Sequence, residues 1–343
     1  DSHKIYKNVD YLYFSGDMPN LADYFYWFYK DIKSRFNTDF VVEIGSNDWI
    51  FLQFFAKDNN VLGIDPSTNV VVRALKNGIP TISDFFSERL ANSVVRENGQ
   101  ADIVAGSNCI AHLNNLEDLM LGVKALLKDS GVFIVECNYW GGMVKNKNYS
   151  LIYHDHFSYF TLKNWIDFAP KFGLKVFDAL VTPAQGGSLR VFMSKKDEPK
   201  TERFEILLAE EISNNLNSYE TAKKYNKEVN QEAKKLKGLI DKIKSEGKKI
   251  AGYGAAAKGF SVLKLANITN EIDYFVDDSP AKQGKFTPVN HIPVVSRLEA
   301  ELNLPDYFFI TAPNYEQVII DKEKEFKNKG GRFITVDCRI IWL

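Results

Sequence analysis

Residues 41–48 read VVEIGSND and residues 61–67 read VLGIDPS. An apolar strand carries an acid, Glu43, and breaks at Gly45 into a tight turn. The apolar residues 50–55 are predicted as a helix, and a second apolar strand ends in Asp65. In a doubly wound sheet, ligands bind where strands deliver their carboxyl ends and helices offer their N-termini. Glu43, Gly45 and Asn47 are therefore expected to border a ligand, and Asp65, about twenty residues on, sits where an acid accepts both hydroxyls of a ribose. An ordinary βαβ unit with acidic strand ends reads the same over this window.

The chain has 343 residues, more than one typical core holds, so two domains are expected. With 45% hydrophobic and 13% aromatic residues it can bury sizeable cores, which excludes a disordered chain. Lys plus Arg number 43 against 44 Asp plus Glu, leaving no basic stripe for nucleic acid and no field for anionic membranes. Any anionic ligand is then held by local groups. Apolar runs stop well short of the roughly 18 residues of a membrane span. The first residues lack the charged-then-apolar layout of a signal peptide, and the expectation is a cytoplasmic protein. Cys109, Cys137 and Cys338 lie far apart with no CxxC, supporting neither a disulfide framework nor a cysteine zinc site.

Residues 1–38 read as a cap or lead-in segment, with an aromatic amphipathic helix predicted over 21–36. Strands and helices alternate over 39–200 (VVEIG, VLGID, ADIVAGSN, GVFIVECN, then KVFDALVT and SLRVFMS), which predicts an α/β domain with a mostly parallel sheet and an antiparallel edge. Residues 201–249 are charged, almost free of Gly and Pro, and predict linking helices. A second α/β region, 250–343, opens on KIAGYGAAAKGF. Its turn, with Tyr253 and Gly254, fits G-x-G-x-x-A, and Asp277 ends the next strand, a pattern a dinucleotide could use. Lys258, Lys282 and Lys285 suit instead the pyrophosphate of another nucleotide, and a turn serving only close packing is the third reading.

The densest chemistry is Tyr153-His154-Asp155-His156. An extended segment would put Tyr153 and Asp155 on one side and the two histidines on the other. Acid–base work suits the cluster, since imidazole moves protons near neutral pH and an acid fixes its tautomer. A buried polar cluster is the structural alternative. A metal site is not expected, because no third His or Cys lies close.

VVEIGSND, GIDPS, GIPTISDFF, AGSNCIAHL, YHDHFSYF, GGSLR, GYGAAAKG and VDDSPAKQGKFTPVNHIPV, in that order, resemble the S-adenosylmethionine-dependent nucleotide-sugar C-methyltransferases. The likeness is to those that methylate C3′ of nucleoside-diphosphate 4-keto-deoxysugars. The resemblance implies a Rossmann-like S-adenosylmethionine methyltransferase domain plus a second Rossmann-like C-terminal α/β domain that binds the nucleotide sugar. It implies S-adenosylmethionine as cofactor, no metal, and His156 as the base, with Tyr153 at the enolate oxygen or orienting the sugar and a further tyrosine of the YLYFSG segment in the site, Tyr13 in preference to Tyr11. Asp155 stands in place of the usual Glu. Asp84 and Phe85 match the segment beside the adenine, and Asn108 and His112 the edge of the methionine pocket.

The sequence departs from that pattern in three places. Trp49 replaces a glycine at the start of the first helix, where its ring could narrow the cofactor pocket. Gln185 stands where a His precedes GGSLR, and the cysteine zinc module is not part of these residues. A nucleotide-sugar epimerase or isomerase that has lost methyl transfer, a non-catalytic nucleotide-sugar binding protein and an NAD dehydrogenase remain as alternatives. The sugar, the base and the oligomeric state are not specified.

Overall fold

The computed structural model describes residues 5–7, 11–18, 20–288 and 290–341; residues 8–10 of the lead-in segment and Val289 of the last motif lie outside it. The chain divides into two compact units, Asp1–Gly141 with Asp155–Asn217, and Gly142–His154 with Ser218–Leu343. The division at Asn217 falls inside the helical stretch 201–249, so the helix Glu202–Ser213 goes with the first unit and the 27-residue helix Tyr219–Ser245 with the second.

The first unit is built on seven strands: β1 (Phe40–Ile44), β2 (Asn60–Ile64), β3 (Thr81–Ile82), β4 (Ala101–Ser107), β5 (Leu127–Asn138), β6 (Lys175–Thr182) and β7 (Ser188–Ser194). They lie in the order β3-β2-β1-β4-β5-β7-β6. Pairs among β1 to β5 are parallel, and β7 runs antiparallel between β5 and β6. Every residue of β1 is buried, which is why the central strands read as unbroken apolar runs. Chain order reverses between β1 and β4, so the carboxyl ends of β1, β2 and β4 open the crevice where doubly wound sheets bind ligands.

The helix Leu21–Arg35 covers one face with Phe25, Phe28 and Ile32. Phe28 stacks on Phe51 at 4.9 Å, and Tyr29 meets Phe55 edge-on at 4.9 Å. These contacts explain why 50–55 is not the regular helix its apolar pattern suggests. The stretch is a series of turns around the short 3₁₀ helix Leu52–Phe54, tight enough to turn three phenylalanines toward one partner helix.

Beneath the crevice lies a buried ion pair. Arg190 on β7 donates from Nε to Glu136 on β5 at 3.0 Å, Tyr24 donates to the same carboxylate, and Thr182 adds a bond at 3.2 Å. Glu136 is fully buried, and Arg190 stacks its guanidinium on Phe28 at 3.4 Å.

The second unit has β8 (Ile250–Tyr253), β9 (Phe275–Val276), β10 (Val294–Val295), β11 (Tyr307–Ile310), β12 (Arg332–Ile334) and β13 (Ile340–Ile341) in the order β10-β9-β8-β11-β12-β13. Only the β12–β13 pair is antiparallel. The reversal between β8 and β11 places the glycine turn after β8 at a second switch point. Among the described residues, no helix is long and apolar enough to cross a membrane.

Replacing Arg190 by Leu strands a fully buried carboxylate, and urea unfolding is expected to show a loss of about 3–5 kcal/mol. A loss below about 1 kcal/mol, the scale of an exposed ion pair, would show that Glu136 finds another partner or water.

Candidate active site

The turn after β1 is locked by its own backbone. Gly45 has φ +65°, and a Cβ there would lie 2.5 Å from Cys109 Cβ. Its amide donates to Ile64 at 2.8 Å, tying the end of β1 to the end of β2. Asp65 closes the turn: its carboxylate accepts from the Asn47 amide at 3.0 Å and the Ser67 amide at 2.9 Å. A carboxylate has about four lone-pair sites, so acceptor capacity remains, and burial raises the pKa of the acid against these bonds and one from the Ser67 side chain. Glu43 is 4% exposed, and its Oε2 has no hydrogen-bond partner among the described residues. Burial, then the nearby Asp65 and Asp48 charges, push its carboxyl well above the usual range.

The N-terminal segment crosses this turn. The Asn47 side chain donates to Tyr13 O at 3.1 Å and accepts from Ser15 N at 2.8 Å, while Asp48 accepts from Gly16 N at 2.8 Å. Tyr11 and Asn69 exchange two bonds, at 3.3 and 2.9 Å. The Trp49 ring, expected to threaten the pocket, is turned instead onto the segment: a Cβ on Gly16 would come within 2.9 Å of it, and Arg73 stacks on it at 4.7 Å. The Tyr13 phenol bonds to the Gln185 and Ser15 side chains, and burial raises its pKa. Asp84 is bridged by Lys7 at 3.1 Å and accepts from the Phe85 amide; burial alone would raise its pKa, but these bonds and Arg89 hold it down. Lys7 also lies 5.9 Å over the Phe85 ring.

His156 and His112 meet with ring centroids 4.8 Å apart. The Asn138 amide at the end of β5 lies 2.8 Å from His156 Nδ1, and Tyr6 OH lies 3.0 Å from His112 Nδ1. Burial lowers the His112 pKa, opposed by Asp155. Phe157 N donates to Ala111 O at 2.8 Å and Trp140 N to Phe160 O at 2.9 Å, pinning this segment across the ends of β4 and β5. Asn108, with φ +54°, is held by its amide on Glu136 O at 2.7 Å and by Ser188 at 3.2 Å. Residues 153–155 are bend and turn, so the alternation of an extended strand does not apply. The chain passes between units there: Tyr153 and His154 group with the second, Asp155 and His156 with the first.

In the second unit Gly254 (φ +93°) and Asp277 repeat the lock of the first. Asp277 accepts from the Ala255 amide at 2.8 Å and the Ser279 amide at 2.9 Å. Lys282 adds an ion pair at 3.0 Å, absent from Asp65, and also reaches Ala255 O. The Tyr253 side chain, expected at the ligand, lies instead in the core: it is 2% exposed, with its ring on Phe308 at 5.2 Å and its hydroxyl on Glu323. Only its backbone joins the turn, because β-strand alternation sends this side chain under the sheet. Lys258 starts the helix Ala257–Leu265, and burial pulls its ammonium down to about 7. Lys285 is exposed.

A methyltransferase domain model matches residues 30–179, and a C-methyltransferase C-terminal domain model matches residues 183–336. The C-methyltransferase NovU of Streptomyces niveus is 34% identical over 301 residues, 87% of this chain and 72% of that protein. The chain belongs to the C-methyltransferase family. Solved structures similar to part of it include the PH0226 protein of Pyrococcus horikoshii (TM-score 0.43, 15% identity, 55% of this chain and 97% of that one). A methyltransferase of Listeria monocytogenes is similar too (TM-score 0.40, 16% identity, 51% and 100%).

The cofactor of this C-methyltransferase is S-adenosylmethionine, and the first switch point has the donor set for it. The orphaned Glu43 oxygen suits an ammonium group, and the spare lone pairs of Asp65 suit a ribose diol. Asn47 contributes its backbone to that turn, while its side chain serves the N-terminal segment. Asn138 was not singled out in the sequence, although a polar residue ending an apolar parallel strand is a signal for a site.

Since burial and the neighbouring acids raise the Glu43 pKa, binding the cationic cofactor is expected to release a proton and to strengthen as pH rises through the raised Glu43 range. Calorimetry in buffers of different ionisation enthalpy reads the release, and Glu43→Gln should lose it; equal release by both proteins contradicts the assignment. Asp65→Ala should weaken S-adenosylmethionine by roughly 1–3 kcal/mol, measured the same way.

Proposed function

We propose that this C-methyltransferase acts on a nucleoside-diphosphate 4-keto-deoxysugar, at the carbon beside the ketone, C3. The observation that carries the reading is the His156 imidazole seated against Asn138, at the carboxyl end of β5, and His112, just after β4. S-adenosylmethionine supplies, when bound, an electrophilic sulfonium methyl. The residues must then make a carbon nucleophilic, and a neighbouring ketone lets a base do so by removing the adjacent proton.

In this reading His156 takes the C3 proton, leaving an enolate whose carbon is the nucleophile. Burial lowers the His112 pKa and favours its neutral form, which adds no like charge beside an imidazolium at His156. Tyr13 retains its proton, as its raised pKa favours, and donates to the developing oxyanion together with Tyr153. The second unit offers the amides after Gly254 and the ammonium of Lys258 to the diphosphate. Lys282 already occupies Asp277, which speaks against a ribose diol of NAD at that acid. Such an enzyme belongs in cytoplasmic synthesis of branched sugars.

His156→Ala is expected to abolish both methyl transfer and solvent deuterium incorporation into the keto sugar while nucleotide-sugar binding changes little; full activity would refute the base assignment. Tyr153→Phe should bind normally and turn over about a hundredfold more slowly. Nucleotide-sugar affinity should fall as pH rises through about 7, where Lys258 loses its charge, and Lys258→Arg should remove that fall in a binding titration.

A further inference from the structure

The segment over the cofactor turn is attached with more care than a lead-in needs. Asn47 is 9% exposed, and its one amide both gives and takes: Nδ2 donates to Tyr13 O, and Oδ1 accepts from Ser15 N. The fully buried Asp48 spends one oxygen on Gly16 N and the other on Trp49 N. The Trp49 ring lies directly beneath Gly16, where even a Cβ would collide. Asp17 forms an ion pair with Arg73, whose guanidinium stacks on both Phe14 and Trp49 at 4.7 Å. Two departures from the family pattern thus touch the same segment, Trp49 under Gly16 and Gln185 at the Tyr13 phenol.

We infer that Asn47 and Asp48 are positioning residues, which hang Tyr13 from the cofactor turn so that the acceptor side of the site is assembled on the loop that Asp65 holds. The inference rests on the reading of Tyr13 as an acceptor-side residue. Its physical basis is one residue with two loyalties. The backbone amide of Asn47 bonds to the ribose-side acid at 3.0 Å, while its side chain grips the backbone on either side of Phe14. Its left-handed conformation, φ +52°, is one that Asn adopts more readily than most residues. A side chain whose donor and acceptor are both engaged by protein backbone fixes a neighbour, and is a poor choice for gripping a ligand. The Trp49 ring, at the helix-start glycine position, fills the space under the segment.

The test is a double-mutant cycle on the full chain, with three readouts: S-adenosylmethionine affinity, methyl transfer to the nucleotide sugar, and hydrogen–deuterium exchange of residues 11–17, which needs no substrate. Asn47→Gly, which removes the side chain and tolerates the left-handed backbone, should leave cofactor affinity within about threefold and cut kcat about tenfold, the scale of a lost buried hydrogen bond. Exchange over 11–17 should rise while 41–46 stays protected. In a Tyr13→Phe background the same substitution should add less than about twofold, because it acts through Tyr13. Asn47→Asp keeps the acceptor for Ser15 N, loses the donor to Tyr13 O and should fall between; it also replaces Asn47→Gly if that variant does not fold. Cofactor affinity that falls as far as kcat, effects that multiply with Tyr13→Phe, or unchanged exchange over 11–17 would overturn the inference and leave the C-methylation reading standing. Wild-type protein that binds the cofactor yet does not methylate the nucleotide sugar would sink that reading alone, and the exchange measurement would still decide the clamp.

Discussion

The hydrogen bond from the Asn47 amide to the Asp65 carboxylate joins the end of β1 to the end of β2, and the carboxyl edge of the first sheet is organised around it. In a turn with φ +65° at Gly45 and +52° at Asn47, the Gly45 amide still bonds to Ile64 O on β2 and the Asn47 amide turns off the ladder to Asp65. Buried amides need acceptors, and leaving one unmade costs about 1–3 kcal/mol. Asp65 supplies that acceptor and keeps lone pairs for a ligand. The second unit solves the same problem with Gly254, Ala255 and Asp277, but sets Lys282 on the acid. One motif is left open to a diol and the other is neutralised.

Charge is the other constraint. Glu43, Asp48 and Asp65 are all buried at one strand end, and the charges of Asp65 and Asp48 both raise the pKa of Glu43. Among the described residues the cation paired with this cluster is Arg73, at 4.0 Å from Asp48, so three acids face one guanidinium. S-adenosylmethionine carries a sulfonium and an ammonium, which makes it the natural complement of such a site. On the far side of β4 the buried charge of Glu136 is already balanced by Arg190, and its other oxygen accepts from Asn108 at 3.4 Å.

Much of the fold was legible. Strand ends such as Glu43, Gly45 and Asp65 could be placed because unbroken apolar runs mark buried parallel strands, and turn glycines mark positive φ. The helix at 50–55 was misread because its phenylalanines answer to the helix Leu21–Arg35, not to their own periodicity. Tyr253 was misplaced because a motif locates a turn without saying which way its side chains face. What could not be read was the pairing of distant segments. Ser15 meets Asn47 across 32 positions, Asn138 meets His156 across 18, and Arg190 meets Glu136 across 54. The same limit hid the neighbour of Trp49, since nothing local announces that Gly16 lies over its ring.

The central claim is that buried acids at one switch point present S-adenosylmethionine to a carbon made nucleophilic by His156. The most direct measurement is to incubate the enzyme with methyl-labelled S-adenosylmethionine and a nucleoside-diphosphate 4-keto-deoxysugar, and to locate the label by NMR. The account predicts a new carbon–carbon bond, with the labelled methyl on the carbon beside the ketone. Label on oxygen or nitrogen, or a recovered sugar that is epimerised and carries no label, would contradict it.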